Sequence, residues 1–554
     1  MELKKHDFGA EIISILTRGM YRDPRDAIRE YIQNAVDAKS NRIEVKVRTE
    51  SVIIQDFGVG MNYDVLRRAV RVGISDKNPT NNVGFMGIGI YSAFHLCERL
   101  DIYSKGNKGI PNKLSMDFLK MRTILEAEKQ ERLSGSKTSD ELTDLQTLLE
   151  ECIELTKDGD LTKETYNIDG TRIEIVGIDP VYFSILGDFE ELANYLRDVI
   201  PLKFDKDNFS YAEQIENKIK EICEDHKSTF SMVTLNLEVG GRSETLYRPY
   251  KNSDFNQNQK PLEPTIIQIK RHNNFFGVAW GCLNSIRKVV DTKSLRGFIL
   301  KKQGFSIGTR DSLVSYFPKG HSYYDRTIGE VIITHPGLLP NASRTDLEIS
   351  EYRTKFFDAL KNVAEQFDEK AEQFQEWSKT DEELAKITAE LKKLNLQFNK
   401  IGDNSDELIN LLVDVKYQSD KINKRHKRKS SIKPESLSIA LQIRDQAIEL
   451  SKSIQDKIND LINNKKSATE SRAKSIQIGK NLTSISIPKP EDKKYESFKE
   501  ILEELDVPLD EEKFKIIVEI IDEKFIQPKS RTRKDYYDLL NDLKSEIQQR
   551  FESL

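Results

Sequence analysis

The sequence of 554 residues predicts an α+β protein in three successive parts. Three observations predict this. A single hydrophobic core stops growing beyond roughly 250–300 residues, so a chain of this length divides. Residues 1 to 350 interleave short alternating β patterns with amphipathic helix patterns, as mixed helix-and-sheet domains do. After Glu351 the strand patterns stop, and residues 358–398 and 436–464 are rich in Glu, Lys, Gln, Leu and Ala, with apolar residues at three- and four-residue steps, as in coiled coils or bundles. The expected parts are an N-terminal α/β sandwich domain (1–185), an α/β middle domain (186–350) and a long all-helical C-terminal region (351–554).

The elements follow in order. Asp23-Pro24 reads as a helix start, with a helix over 24–38. Residues 42–48 alternate, with Ile43, Val45 and Val47 on one face, and Val52-Ile53-Ile54 follows after a short turn, which predicts a β-hairpin. A glycine-rich stretch from Gly84 opens a further helix. Residues 116–158 carry two helical faces, Phe118/Met121/Leu125 and Leu142/Leu145/Leu148/Leu149, broken at Ser134-Gly135-Ser136; this predicts an inserted helical hairpin. A strand is expected over 171–176, a helix over 189–196, and strands over 230–239, 265–269 and 329–334. Pro488 and Pro490 mark a linker before a last helical unit from Tyr495.

Composition narrows the function classes. Apolar residues are 37% and charged residues 32%, polar for a globular protein but not disordered overall. The net charge of −5 gives no global basic field, which argues against a whole-protein nucleic-acid binder. Cys97, Cys152, Cys223 and Cys282 lie far apart with no CxxC pair, so a zinc site is not indicated and reduced, buried thiols are expected. The first residues have no signal-peptide core, and no apolar run approaches the ~20 residues of a membrane span. A soluble, cytoplasmic protein with no membrane partner is expected.

Four motifs carry candidate chemistry. In Ile28-Arg-Glu-Tyr-Ile-Gln-Asn-Ala-Val-Asp-Ala38, Glu30, Asn34 and Asp37 fall on one helix face, opposite Ile28, Ile32 and Ala35. A carboxylate beside an amide that can hold a metal ion suits water attack on a phosphate; alone, the segment is an ordinary amphipathic helix. Gln55-Asp-Phe-Gly-Val-Gly-Met61 follows an apolar strand. Its glycines permit close backbone approach to a flat ligand, and Asp56 can accept a hydrogen bond from an exocyclic amine; alone, it is a common glycine turn. Gly84-Phe-Met-Gly-Ile-Gly-Ile-Tyr-Ser-Ala-Phe94 can cradle phosphates at a helix start, but lacks the ending of a P-loop. Asp169-Gly-Thr171 opens a strand and alone is only a turn.

The order and spacing of all four motifs resemble the GHKL superfamily of ATPases, and the local detail resembles the heat-shock protein 90 chaperones. Arg29-Glu30, Gly58-Val-Gly-Met61 and Tyr91-Ser-Ala-Phe94 look like the chaperones' ATP site. Leu338-Leu-Pro-Asn-Ala-Ser-Arg-Thr-Asp-Leu-Glu348 is similar to their middle-domain loop, whose arginine reaches the γ-phosphate. The resemblance covers about residues 10–350. It implies a Bergerat-type first domain that binds ATP with Mg²⁺ and hydrolyses it slowly. Glu30 would orient or deprotonate the attacking water, helped by Arg29, and Arg344 would act as a finger from the middle domain. Asn34 would hold Mg²⁺. Asp56 would read the adenine amine, with Gly58, Gly60, Met61 and Thr171 around the base. Gly84, Gly87, Ile88 and Gly89 would wrap the phosphates, and Asp37 would complete the pocket.

The functional expectation is a homodimeric, clamp-like conformational cycle acting on a protein partner through the middle and C-terminal regions. Two alternatives stand beside it. One is a DNA-handling clamp of the MutL or microrchidia kind, for which the basic run from Lys424 to Lys429 is the candidate surface, although it lacks interleaved aromatics. The other is a nucleotide-dependent sensor or scaffold in a bacterial stress or defence system.

Overall fold

The computed structural model describes residues 9–21, 23–75, 87–106, 109–138, 141–157, 168–255, 260–427 and 432–466. The chain divides into two compact units, 1–374 and 375–554.

The first unit opens with α1 (Ile12–Met20) and α2 (Arg25–Asp37), then β1 (Arg42–Arg48), β2 (Ser51–Asp56) and α3 (Tyr63–Ala69). β3 (Cys97–Ser104), β4 (Asn112–Asp117), α4 (Phe118–Leu133), α5 (Leu145–Cys152), β5 (Ile153–Lys157) and β6 (Thr171–Ile178) follow. Next come α6 (Pro180–Leu186), α7 (Phe189–Val199), α8 (Ala212–Asp225), β7 (Thr234–Val239) and β8 (Arg242–Leu246). The eight strands form one sheet in the order β5-β4-β3-β6-β2-β1-β7-β8. Only the β1–β7 contact is parallel; every other pair is antiparallel.

Alternation decides which face is covered. Ile43, Val45 and Val47 of β1, Val52 and Ile54 of β2, and Ile173 and Ile175 of β6 share one core with Ile28, Ile32 and Ala35 of α2. Each of these Ile and Val side chains, fully buried, contributes about 1.5–3 kcal/mol. This apolar stripe fixes the rotation of α2, so its Glu30–Asn34–Asp37 row must face away from the sheet.

Three expectations change. The glycine-rich stretch does not open an α-helix. It forms a 3-10 turn at Gly89–Tyr91, and the amides of Tyr91, Ser92, Phe94 and Leu96 all bond three residues back. Glycines disfavour the α-helix, and strand β3 already begins at Cys97. The insertion is helical in α4 and α5 but ends as the edge strand β5, which pairs with β4. The first sheet also runs past residue 185, because β7 pairs with β1 and brings β8 with it.

The second sheet comprises β9 (Thr265–Arg271), β10 (Asn274–Leu283), β11 (Gly297–Lys302), β12 (Phe305–Ile307) and, after the short α9 (His321–Tyr324), β13 (Thr327–Ile333). Its order is β12-β11-β13-β10-β9. Every residue of the central β13 is buried. One face packs on Phe356, Leu360 and Val363 from the start of α10 (Glu351–Phe398). The other packs on Ile215, Ile219 and Ile222 of α8. A sheet covered on both faces reads as continuous apolar runs rather than alternation.

In the second unit, Leu384, Ile387, Leu391 and Leu394 of α10 pack with α11 (Ser405–Lys427) and α12 (Leu437–Lys466) through Leu408, Leu411, Val415, Ile443 and Ile454. The three- and four-residue steps anticipated this helical core. The Pro488–Pro490 linker and the unit from Tyr495 lie outside the described residues. All four cysteines are buried and free. Among the described residues, no helix is long and apolar enough to cross a membrane.

Candidate active site

The site is built on α2. Asp23 starts the helix, its Oδ1 accepting the Arg25 amide at 2.9 Å. The polar row then presents Glu30, Asn34 and Asp37, with Glu30 only 8% exposed. Gly89 lies directly against this row: a Cβ there would fall 3.0 Å from Glu30 Oε2 and 4.0 Å from Asn34 Nδ2. Glycine is therefore what lets this backbone approach the carboxylate and the amide together.

Arg344 arrives from the loop that follows β13. The loop is closed by a bridge between Pro340 and Leu347, and Asn341 organises its turn, with Oδ1 accepting the Thr345 amide at 2.9 Å. Arg344 adopts φ +54°, a left-handed conformation that is uncommon for a residue with a side chain. Its Nε donates to Glu30 Oε1 at 3.0 Å. Arg29, next to Glu30, is also buried, and its Nη2 donates to the Ser306 carbonyl at 2.5 Å. Burial, then the neighbouring Arg344, pushes the Arg29 guanidinium below its ordinary pKa. One carboxylate and two arginines thus meet at this end.

The other end belongs to the first sheet alone. β2 ends in Asp56, whose Oδ1 accepts the Gly58 amide at 2.8 Å. Burial raises the Asp56 carboxyl to about 6, opposed by hydrogen bonds from the Gly58 and Thr171 amides. Gly60 has φ +62°, and a Cβ there would come 1.9 Å from the Lys105 carbonyl; one on Gly170 would come 2.7 Å from Asp56 Oδ1. Met61 donates its amide to Ser104 Oγ at 2.8 Å, and Ser104 Oγ lies 2.7 Å from Thr171 Oγ1. Sequence patterns miss Ser104. Only the β3–β6 register, which sets it opposite Thr171, brings it in.

The two ends join through α2. The Val59 amide donates to the carbonyl of Ala38, just past the helix, at 3.0 Å. The eight residues from Glu30 to Ala38 rise about 12 Å along the helix, so the Asp56 turn and the Glu30–Arg344 pair mark opposite ends of one elongated site. Gly87, at φ +70°, packs instead on the backbone of Ile74, with Ile88 buried behind it. Gly84 lies outside the described residues. Without an α-helix after Gly89, this end of the site has close backbone approach but no α-helix dipole.

This arrangement accords with similarity to known proteins. Residues 21–147 match the model of the histidine kinase-, DNA gyrase B- and HSP90-like ATPases. That segment is thus similar to a GHKL-type ATPase domain. The mitochondrial heat shock protein 75 kDa of Rattus norvegicus is 26% identical over 136 residues, covering 19% of this chain and 19% of that protein. Chaperone protein HtpG of a Sulfurovum strain is 29% identical over 139 residues, covering 19% of this chain and 22% of its own length. A putative type II restriction enzyme of Herpetosiphon aurantiacus is 26% identical over 113 residues, covering 19% and 18%. The chain therefore spans about a fifth of the length of the relatives it matches. The matched GHKL segment contains Glu30, Asn34 and Asp56 but stops before Thr171 and Arg344.

Proposed function

We propose that this protein binds Mg-ATP along α2 and hydrolyses it slowly, with turnover governed by docking of the Arg344 loop. The observation that carries this reading is the Glu30–Arg344 pair, a carboxylate and a guanidinium from distant parts of the chain at one end of the GHKL site. Asp56 accepts the adenine amine, within the shell of Gly58, Gly60, Met61, Ser104 and Thr171. Glu30 orients and deprotonates the attacking water, and Arg29 holds its place beside it. Arg344 stabilises charge on the transferring phosphoryl group. That is the work of an arginine finger, worth about 10³–10⁵ in rate.

Magnesium fits the residues present. Mg²⁺ keeps several waters and needs few protein ligands beside the phosphates. Asn34 carries one side-chain oxygen on the amide whose Nδ2 would lie 4.0 Å from a Cβ on Gly89, and among the described residues no cluster of three or more acidic, His or Cys side chains competes as a metal site. Asn34 would hold the ion, which neutralises phosphate charge when bound. Asp37 supports the pocket from the same row.

The wider proposal is a homodimer whose helical C-terminal region joins two copies and whose ATP cycle works a clamp on a protein partner. ATP shifts such an equilibrium only by its preference for the closed state. A second reading, a DNA-handling clamp, draws on the similarity to a putative restriction enzyme. Its candidate run is partly neutralised, because Arg425 pairs with Glu383 at 2.5 Å, and Arg428 and Lys429 lie outside the described residues. Salt-dependent DNA binding that is lost on neutralising Lys424 and Lys427 would favour it.

The test is ATP binding and steady-state hydrolysis for wild type and Glu30→Ala, across protein concentration. Turnover should fall by about 10²–10⁴ with binding retained. A rise in specific activity with concentration supports the dimer. Wild type that neither binds nor hydrolyses ATP contradicts the reading.

A further inference from the structure

The second sheet touches the catalytic helix a second time, away from Arg344. β11 and β12 are joined by Gln303 and Gly304, at φ 49° and 89°. Two positive φ values in a two-residue loop make a tight hairpin whose twist matches its strands. A Cβ on Gly304 would lie 2.5 Å from Cβ of Pro201, so the hairpin tip sits on the chain just after α7.

Behind the tip, Lys301 and Ser306 stand opposite each other in register. Both donate to one acceptor, the main-chain carbonyl of Asp198: Lys301 Nζ at 2.8 Å and Ser306 Oγ at 2.5 Å. Asp198 is the penultimate residue of α7, so its carbonyl has no partner within the helix and belongs to the negative end of the helix dipole. An ammonium and a hydroxyl are suitable caps for it.

Lys301 is 1% exposed, and a charge buried that deeply must be paired. Glu330 of β13 answers it at 3.3 Å. Glu330 also pairs with Arg248 and accepts from Tyr250 Oη at 2.8 Å and Trp280 Nε1 at 3.2 Å. The hairpin is thereby anchored in the core of the second sheet.

Ser306 faces both ways. Its hydroxyl holds α7, and its carbonyl accepts the Arg29 guanidinium. At the guanidinium end of Arg29, Nη2 bonds the Ser306 carbonyl while Nε is buried without an acceptor; Arg344 repels the group, and Tyr195, Glu30 and Asp26 attract it through space. We propose that Ser306 and Lys301 are positioning residues, through which the β11–β12 hairpin fixes Arg29 beside Glu30 as a strut between the sheets separate from Arg344. This rests on the reading that Glu30 and Arg29 serve ATP hydrolysis. With the strut loosened, Arg29 swings towards Glu30 and competes with Arg344 for the single carboxylate.

Ser306→Ala removes the hydroxyl and keeps the carbonyl. The expected result is a fall in kcat of about five- to tenfold, the worth of one hydrogen bond, with the ATP dissociation constant changed less than about twofold. Arg29→Ala/Ser306→Ala should be no slower than Arg29→Ala alone, as residues of one network are non-additive. Unchanged kcat in Ser306→Ala, or effects that multiply, overturns the strut. Amide hydrogen exchange on the full chain without nucleotide separates this from failure of the ATPase reading. Faster exchange in α2 around Arg29 in Ser306→Ala supports the strut even if wild type proves inactive; exchange altered only in the hairpin contradicts it.

Discussion

At one end of the site Asp56, Gly58, Gly60 and Met61 come from a single turn, and Ser104, Gly170 and Thr171 close over it from neighbouring strands of the same sheet. At the other end Glu30 meets Arg344 from 314 positions further along the chain, and Arg29 meets Ser306 across 277. The first end is complete once the first sheet has folded. The second exists only while the loop after β13 and the β11–β12 hairpin rest on α2. On the proposed function, base recognition and turnover should therefore be separable properties, and variants should sort between them.

The sharpest break in this comparison is Arg344→Ala. Turnover should drop by about 10³ or more with ATP affinity nearly unchanged, measured by single-turnover kinetics beside equilibrium titration. Comparable losses of affinity and rate would mean that the two ends are not separable. Asp56→Asn is the converse. It should weaken ATP binding by about ten- to a hundredfold, because an amide presents a donor where a carboxylate accepted.

The same carboxyl gives the comparison a pH signature. Burial holds Asp56 near 6 in the folded protein against an ordinary value of 3.8, so between these values the folded state binds the extra proton. Its contribution to nucleotide-free stability is full below about pH 3.8 and is lost as pH rises through about 6. ATP affinity runs the other way: below about pH 6 the dissociation constant should rise by up to about tenfold per pH unit, and Asp56→Asn should flatten both profiles. A wild-type affinity that is level from pH 5 to 7 would remove Asp56 from base recognition. The smallest effect is expected at Ser104→Ala, which removes the acceptor of the Met61 amide and should weaken ATP binding by about 1 kcal/mol without touching the single-turnover rate.

What the sequence made legible follows the same division. The Glu30–Asn34–Asp37 row is legible because helix periodicity is local, and α2 spans Arg25–Asp37 where 24–38 was expected. The β1–β2 hairpin and β6 are legible by alternation. Arg344 is legible only through resemblance of its loop, since no local pattern distinguishes an arginine held at φ +54°. Ser104 depends on strand register, and Ser306 and Lys301 on a hairpin meeting a helix end, neither of which leaves a periodic trace. The helix expected after Gly84 failed because glycine content is an ambiguous signal: the same residues that allow close approach to α2 also favour a turn of 3-10 bonds. The addition of β7 to the β1 edge is a long-range parallel pairing, and alternation alone does not say which sheet a strand joins.

The most direct test of the central claim is single-turnover hydrolysis of prebound Mg-ATP by wild type, Glu30→Gln, Arg344→Ala and the double variant. The account predicts that each single change slows hydrolysis by about 10² or more and that the double variant is little slower than the worse single one, because Glu30 and Arg344 are in direct contact and act as a unit in the same transfer step. Arg344→Ala turning over at the wild-type rate, or losses that simply multiply, would contradict it.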